Sequence, residues 1–179
     1  MAAKSHLMLA AASLVFVSCA KYQVLQPRPG DWAEPVALEG VANLHRVDRN
    51  LYRSAQPTPE GMKALEKYGI RTVVNLRMFG DDEEEVVGTG LRRVDIPMLA
   101  WMPRAKSARR FIETVSEESE GPFLVHCYHG SDRTGSMVAL YRASVRGWET
   151  DQAVEEMLHG GFGFHRIWQN LIRWTRRQA

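Results

Sequence analysis

The chain has 179 residues, which is enough for one domain with a hydrophobic core and too few for two full domains. Hydrophobic residues make up 45% and charged residues 25%, as in ordinary globular proteins. The formal net charge is only +2 and no basic tract accompanies it, which excludes a nucleic-acid partner. We expect a monomer. Because the net charge is small, any attraction for an anion must come from a local group of residues.

The first 18 residues have the form of an export signal. Lys4 is followed by an apolar run over 7–17, which has the length of a signal-peptide core and is too short to span a bilayer. The small residue before Cys19 resembles a bacterial lipoprotein signal, whereas Phe16 stands where leucine is usual. We predict a signal peptide over 1–18, lipidation of Cys19, and a place in the cell envelope with the membrane surface as a partner. Simple secretory cleavage and a retained anchor remain alternatives.

Residues 19–43 are rich in proline and glycine and show little periodicity. Such a composition is typical of a tether or of an extended segment that wraps a domain. We therefore place the folded domain over 44–179.

The predicted elements of the domain alternate between strands and helices. A helix begins after Thr58, ends at Gly69, and turns Met62, Leu65 and Tyr68 toward the core. Strands are predicted over 44–47, 51–53, 71–76, 91–96 and 123–126, and further helices around 108–115, over 134–146 with Val145 inward, over 151–158 and over 165–177. This order predicts an α/β fold with a small, largely parallel central sheet flanked by helices on both faces.

Two conspicuous features receive structural interpretations. The acidic run over 81–85 is interpreted as a solvated loop. The aromatic side chains Phe162, Phe164, Trp168 and Trp174 are interpreted as core packing of the last helix rather than as a ligand cleft.

The segment 125–135 carries the chemistry, and it reads Val-His-Cys-Tyr-His-Gly-Ser-Asp-Arg-Thr-Gly. It starts where a predicted strand ends and finishes where a helix begins, which is where open α/β sheets bind ligands. The N-terminus of a helix attracts an anion and stabilises a thiolate, so Cys127 is predicted to be a nucleophile. The guanidinium of Arg133 suits two oxygens of a phosphate at the rim of the same loop.

This segment matches the His-Cys-x5-Arg-Thr/Ser signature of the protein tyrosine phosphatase superfamily, and it most resembles the compact dual-specificity branch and its bacterial relatives. Residues 51–58 and 73–77 resemble the first two strands of that branch, so the resemblance covers most of 44–147. It implies a tyrosine or dual-specificity phosphatase that forms a phosphocysteine at Cys127. The implied substrate is a phosphorylated protein or a small phosphate ester, with no metal and no other cofactor.

The resemblance also implies roles for the neighbours of Cys127. Thr134 would hydrogen-bond the sulfur, and His126 would support the loop through the backbone. Arg53 and Arg77 could reach toward phosphate but are interpreted as structural. The residues expected to hold the phosphoryl oxygens are Tyr128, His129, Gly130, Ser131, Asp132 and Arg133.

The general acid is the residue that protonates the leaving oxygen, and its position in this sequence differs from the commonest pattern of the superfamily. The loop over 97–103, where many relatives carry an aspartate, contains no carboxylate. Asp132 resembles the acid of relatives that draw it from the phosphate loop itself, and we predict that role for it. The alternatives are that Asp132 only buttresses the loop, and that Asp95 is the acid.

Other functions remain open at this point. A rhodanese-like sulfurtransferase also uses a loop cysteine before a helix, and an inactive phosphate-binding module would keep the same loop. Phosphoinositides and other small phosphates are alternative substrates. Tyr128, His129 and Ser131 stand where some relatives carry lysines, which favours a less highly phosphorylated substrate.

Overall fold

The computed structural model of the protein describes residues 20–179. The predicted signal peptide and the predicted lipidation of Cys19 therefore lie outside the described residues. Within 20–179, every helix is too short or too polar to cross a bilayer.

The described residues form one six-stranded sheet. Its strands are β1 Glu34–Pro35, β2 His45–Arg46, β3 Leu51–Ser54, β4 Thr72–Asn75, β5 Arg92–Asp95 and β6 Phe123–His126, in the order β1-β2-β3-β6-β4-β5. The first three strands pair antiparallel, and the pairs β3–β6, β6–β4 and β4–β5 are parallel. The prediction of a small, largely parallel sheet is confirmed.

Five α-helices cover the sheet within the described residues. They are α1 Pro59–Tyr68, α2 Ala105–Ser116, α3 Asp132–Ser144, α4 Thr150–His159 and α5 Gln169–Gln178. Met62 and Leu65 of α1 pack with Val73 and Leu124 on one face of the sheet. The other four helices share a larger core with the opposite face. Helices on both faces were predicted, and this prediction is confirmed.

The central strands position the site. Every residue of β4 and of β6 is buried, as expected for strands covered on both faces. In the register of the sheet, His126 lies beside Ser54 of β3 and Asn75 of β4. The segments that follow these three residues therefore leave the sheet at one edge, where parallel α/β sheets carry their ligands.

The ends of α1 follow from its sequence. Thr58 Oγ1 accepts a hydrogen bond from the Gly61 N–H at 3.1 Å, and Gly69 ends the helix at a φ of 106°. The inward placement of Tyr68 is wrong, because its side chain is 45% exposed in the last turn. Val145 is likewise exposed, because α3 has ended one residue earlier.

Residues 20–43 run along the domain in an extended course. Lys21 bridges His165, and the Leu25 N–H donates to the His159 carbonyl at 3.0 Å. Trp32 and Ala33 are buried, and β1 lies in this segment. The sheet thus takes its first strand from residues that precede 44.

Candidate active site

The predicted phosphate loop connects β6 to α3. Cys127 follows the last residue of β6 directly and is 2% exposed. Helix α3 begins at Asp132, two residues before its predicted start, so Asp132 and Arg133 lie in its first turn. The Ser131 hydroxyl donates to the Phe162 carbonyl at 2.8 Å and makes no capping bond to α3. The first N–H groups of the helix are therefore available to an anion.

Gly130 lets the loop lie against the end of β3. Its φ is +70°, and a Cβ on it would lie 2.5 Å from the Ala55 nitrogen and closer still to the Ser54 carbonyl group. A side chain is thus excluded by both backbone conformation and space.

Arg53 lies beneath the loop and is fully buried. Its Nη2 donates to the Gly130 carbonyl at 2.7 Å, and its guanidinium stacks 3.7 Å from the Phe162 ring centroid. Burial lowers the pKa of Arg53 to about 10, while the neighbouring Glu156 and Cys127 act in the opposite direction. The group is still cationic at neutral pH, so it places a positive charge behind the loop.

A buried chain of charged groups supports the loop from the other side. His126 Nδ1 lies 3.2 Å from the Cys127 carbonyl, and His126 Nε2 lies 2.7 Å from Asp82 Oδ2. Asp82 Oδ1 accepts a bond from Arg77 Nη2 at 2.7 Å. His126 thus contacts the backbone of the loop as predicted, and Arg77 faces Asp82.

The interpretation of the acidic run as a solvated loop is wrong for Asp82, whose side chain is fully buried. A buried imidazole and a buried guanidinium need a carboxylate partner, which explains why one acid of the run turns inward. The only indication in the sequence that an acid of this run is buried is that the run begins with two shorter aspartates before three glutamates.

Asp132 is bonded to a residue that sequence reasoning missed. Its carboxylate accepts the His165 backbone N–H at 2.8 Å and lies 2.9 Å from His165 Nδ1. His165 lies before α5, where the sequence predicted the start of a helix. The other acid candidate, Asp95, ends β5 and accepts a bond from Asn75 Nδ2 at 3.0 Å. The structure therefore gives the two carboxylates different partners.

The guanidinium of Arg133 borders an apolar cleft of about 190 Å³. It lies 5.6 Å from the Tyr128 ring centroid and makes only a long contact of 3.5 Å with the Met98 carbonyl. Among the described residues it has no carboxylate partner, which leaves its donors for a ligand. We call this space the apolar cleft; it is lined by Met78, Phe79, Met98, Leu99, Ala100, Trp101, Tyr128, Arg133 and Trp168.

Trp168 corrects part of the aromatic prediction. Phe162, Phe164 and Trp174 are buried in the core, as predicted. Trp168 is half-buried and lines the apolar cleft beside Arg133. The last turn before α5 therefore contributes to the surroundings of the site as well as to packing.

A second space of about 460 Å³ also borders Tyr128. Lys21, Asn43, Ser131 and His165 line it, together with Tyr128 itself and with His129, whose ring centroid is 5.9 Å from that of His165. We call it the basic cleft.

The hydroxyl of Thr134 is buried and has no hydrogen-bond partner among the described residues. The expected bond from Thr134 to the Cys127 sulfur is therefore not formed in this structure. Within 20–179, no three His, Cys, Asp or Glu side chains are grouped to hold a metal ion.

The model of the family described as "DSP-PTPase phosphatase fused to NAD+ Kinase" matches residues 34–172. The chain belongs to this family. The match includes the sheet, the phosphate loop and the first turn of α5, and it confirms the predicted compact dual-specificity branch of the cysteine-dependent phosphatases.

Proteins of known structure are similar over most of the chain. Dual specificity protein phosphatase TpbA of Pseudomonas aeruginosa is 37% identical over 139 residues, which are 76% of this chain and 62% of that protein. Its crystal structure superposes with a TM-score of 0.75 over 85% of this chain and 92% of that one, and another structure of it is a complex with pTyr. The catalytic domain of the PP-IP phosphatase SIW14 from S. cerevisiae, 19% identical, shares the fold with a TM-score of 0.63 over 76% of this chain and 87% of that one. The chain thus spans about 60% of the length of the first curated relatives.

Proposed function

We propose that the chain is a cysteine-dependent phosphatase that hydrolyses phosphotyrosine in proteins through a phosphocysteine intermediate. One arrangement carries the proposal: buried Cys127 at the start of the loop, the open N-terminus of α3, and the guanidinium of Arg133, which has no carboxylate partner within 20–179. The sulfur attacks phosphorus, and the P–O ester bond breaks as the leaving oxygen takes a proton. Water then breaks the S–P bond, which releases phosphate and restores the thiolate.

The apolar cleft favours an aromatic ester. An engineered apolar cavity of about 150 Å³ accepts benzene, and the cleft beside Arg133 measures about 190 Å³. The rings of Tyr128 and Trp101 line this space and offer flat faces to a phenyl group. The complex of the Pseudomonas relative with pTyr supports the same substrate class.

Replacing the nucleophile tests the proposal. Cys127→Ser should lower turnover of p-nitrophenyl phosphate and of a phosphotyrosine peptide by at least about 10³-fold, because a serine hydroxyl is not ionised at this position. The free energy of unfolding should stay unchanged. Vanadate should inhibit the native protein, and EDTA should leave it active.

Four results would contradict the proposal. Cys127→Ser could retain activity, or activity could disappear in EDTA and return with a divalent ion. A native protein that transfers sulfur from thiosulfate and leaves all phosphate esters intact would be a sulfurtransferase. A protein that binds phosphate with no turnover at all would be an inactive binding module.

We also propose that residues 1–18 are removed on export and that Cys19 carries a lipid at the cell envelope. The apolar run over 7–17 and the small residue before Cys19 support this proposal. Cys19→Ser should move the protein from the membrane fraction to the soluble envelope fraction without changing its turnover. A mature chain that begins at Lys21 would instead indicate ordinary secretory cleavage.

A further inference from the structure

The backbone around Lys21 is fixed on the domain. Lys21 forms an antiparallel bridge with His165, and on either side the Arg166 N–H donates to the Ala20 carbonyl at 2.9 Å and the Tyr22 N–H donates to the Phe164 carbonyl at 3.3 Å. The fold has therefore already ordered this stretch of backbone, which reduces the entropy that a ligand must overcome.

The ammonium group of Lys21 lies at the phosphate loop. The Lys21 Nζ and the Ser131 Oγ are each 3.4 Å from the position that a Cβ on Gly163 would occupy, so both atoms crowd the same point. The carboxylate of Asp132 is bonded to His165, and Lys21 forms no ion pair among the described residues. The loop itself contains no lysine, and the N-terminal segment supplies this cation from outside.

Tyr128 lines both clefts, and the two clefts differ in chemistry. The apolar cleft suits a phenyl ring beside Arg133, whereas the basic cleft contains Lys21 and the imidazoles of His129 and His165. A peptide whose phosphotyrosine ring occupies the apolar cleft would cross Tyr128 with its adjacent residue above the basic cleft. At about 460 Å³, that cleft has room for an acidic side chain.

We propose that Lys21 binds a second acidic group of the substrate, carried by the residue next to the phosphotyrosine. This second group is a carboxylate or a phosphate. Both present anionic oxygens that accept hydrogen bonds from an ammonium group and from imidazole N–H groups. This inference rests on the proposed function and specifies its substrate class.

The test uses the full chain and three phosphotyrosine peptides that differ only at the neighbouring residue, which is Gln, Glu or phosphoserine. The native protein should show a KM lower by roughly three- to tenfold for an acidic neighbour than for Gln, the range of an ion pair near a surface. Lys21→Gln should remove this difference, and Lys21→Arg should keep it. The difference should also shrink at high salt.

Controls separate this inference from the proposed function. Lys63→Gln, on the exposed side of α1, should behave like the native protein. Lys21→Gln should hydrolyse p-nitrophenyl phosphate within about twofold of the native rate, because this ester has no second acidic group. A gain with Glu identifies a carboxylate, and a gain with phosphoserine alone identifies a second phosphate.

The inference is overturned if Lys21→Gln retains the preference, if the native protein shows none, or if Lys21→Gln loses p-nitrophenyl phosphate activity to the same extent as peptide activity. A failure of the proposed function is seen separately: the native protein leaves p-nitrophenyl phosphate and all three peptides intact, or Cys127→Ser keeps the native activity.

Discussion

The carboxylate of Asp132 accepts the backbone N–H of His165 at 2.8 Å and lies 2.9 Å from the ring Nδ1 of the same residue. This carboxylate therefore connects the first turn of α3 to the segment before α5. Histidine and aspartate are both side chains that enzymes use to deliver the proton that a leaving oxygen needs. Asp132 and His165 are thus best tested as one unit.

Asp132→Asn should slow hydrolysis of an alkyl phosphate by about 10²-fold or more, because general acid catalysis is typically worth that much. An aryl phosphate with a good leaving group should lose much less, since its leaving oxygen hardly needs the proton. The dependence of kcat on pH should flatten on its alkaline side. His165→Gln should share both effects if the pair acts as a unit.

Asp95→Asn is the matched control for this measurement. Asp95 lies at the end of β5, bonded to Asn75 and near Arg93. Equal losses on alkyl and aryl substrates in Asp132→Asn, together with selective loss on the alkyl substrate in Asp95→Asn, would assign the acid to Asp95.

Asp82 supports the loop through two buried partners, His126 and Arg77. Asp82→Asn leaves the buried guanidinium without its counter-charge, and breaking such a pair costs about 3–5 kcal/mol of unfolding free energy. Urea unfolding measures this loss. Glu83→Gln, an exposed acid of the same run, should change stability by less than about 0.5 kcal/mol. Similar small effects for both variants would show that the buried chain contributes little.

The sequence allowed us to predict the site residues that lie within one short motif. It did not reveal the residues from distant parts of the chain that contact this motif. Cys127 and Arg133 were predictable because strand, loop and helix follow one another along the chain. Asp82 is 44 residues from His126, and His165 is 33 residues from Asp132. Such contacts depend on how separate segments pack, and no local pattern encodes them.

At the scale of elements, the starts and ends that carry a local signal were well predicted. Strand β6 has its predicted bounds, and α1 follows its N-cap and its terminal glycine. Helix α3 starts earlier than predicted because the end of the phosphate loop is itself helical. Strand β1 was missed because two residues at a sheet edge have no detectable periodicity.

Alanine substitutions at Gly130 and at Gly147 can be compared to distinguish the effect of backbone strain from the effect of steric crowding. Both have a φ of +70°, but a Cβ on Gly147 would meet nothing within 4 Å. Gly147→Ala should cost about 1–2 kcal/mol of stability and keep full activity. Gly130→Ala should also displace the phosphate loop from β3 and lower kcat/KM about 10²-fold. Equal activities of the two variants would show that the loop tolerates the displacement.

At the scale of the whole molecule, Glu156 joins the N-terminal segment to the helices. Its carboxylate accepts the Ala33 N–H at 2.6 Å and the guanidinium of Arg142 at 2.9 Å, and Arg142 also donates to the Asp31 carbonyl at 3.1 Å. Both charged side chains are buried. The segment that brings Lys21 to the site is therefore anchored in the core of the domain.

Glu156→Gln should lower the free energy of unfolding by about 3–5 kcal/mol, because Arg142 would remain buried without a counter-charge. Trypsin should then cleave the chain faster after Lys21, because the segment that contains it is less firmly anchored. Asp151→Asn breaks an exposed pair with Arg176 and should change stability by less than about 1 kcal/mol. Unchanged cleavage in Glu156→Gln would mean that other contacts hold the segment.

The fixed position of Lys21 beside the phosphate loop limits the distance between this loop and a lipid attached to Cys19. Only Ala20 lies between Cys19 and Lys21, so at most about 7 Å of extended chain joins the Cα atoms of these two residues. On the proposed acylation of Cys19, the phosphate loop would stay within a short reach of the bilayer. Phosphotyrosines on the same membrane surface would meet it at an effective concentration on the order of millimolar. Phosphotyrosines held farther from the bilayer would not reach the phosphate loop, whatever the sequence around them.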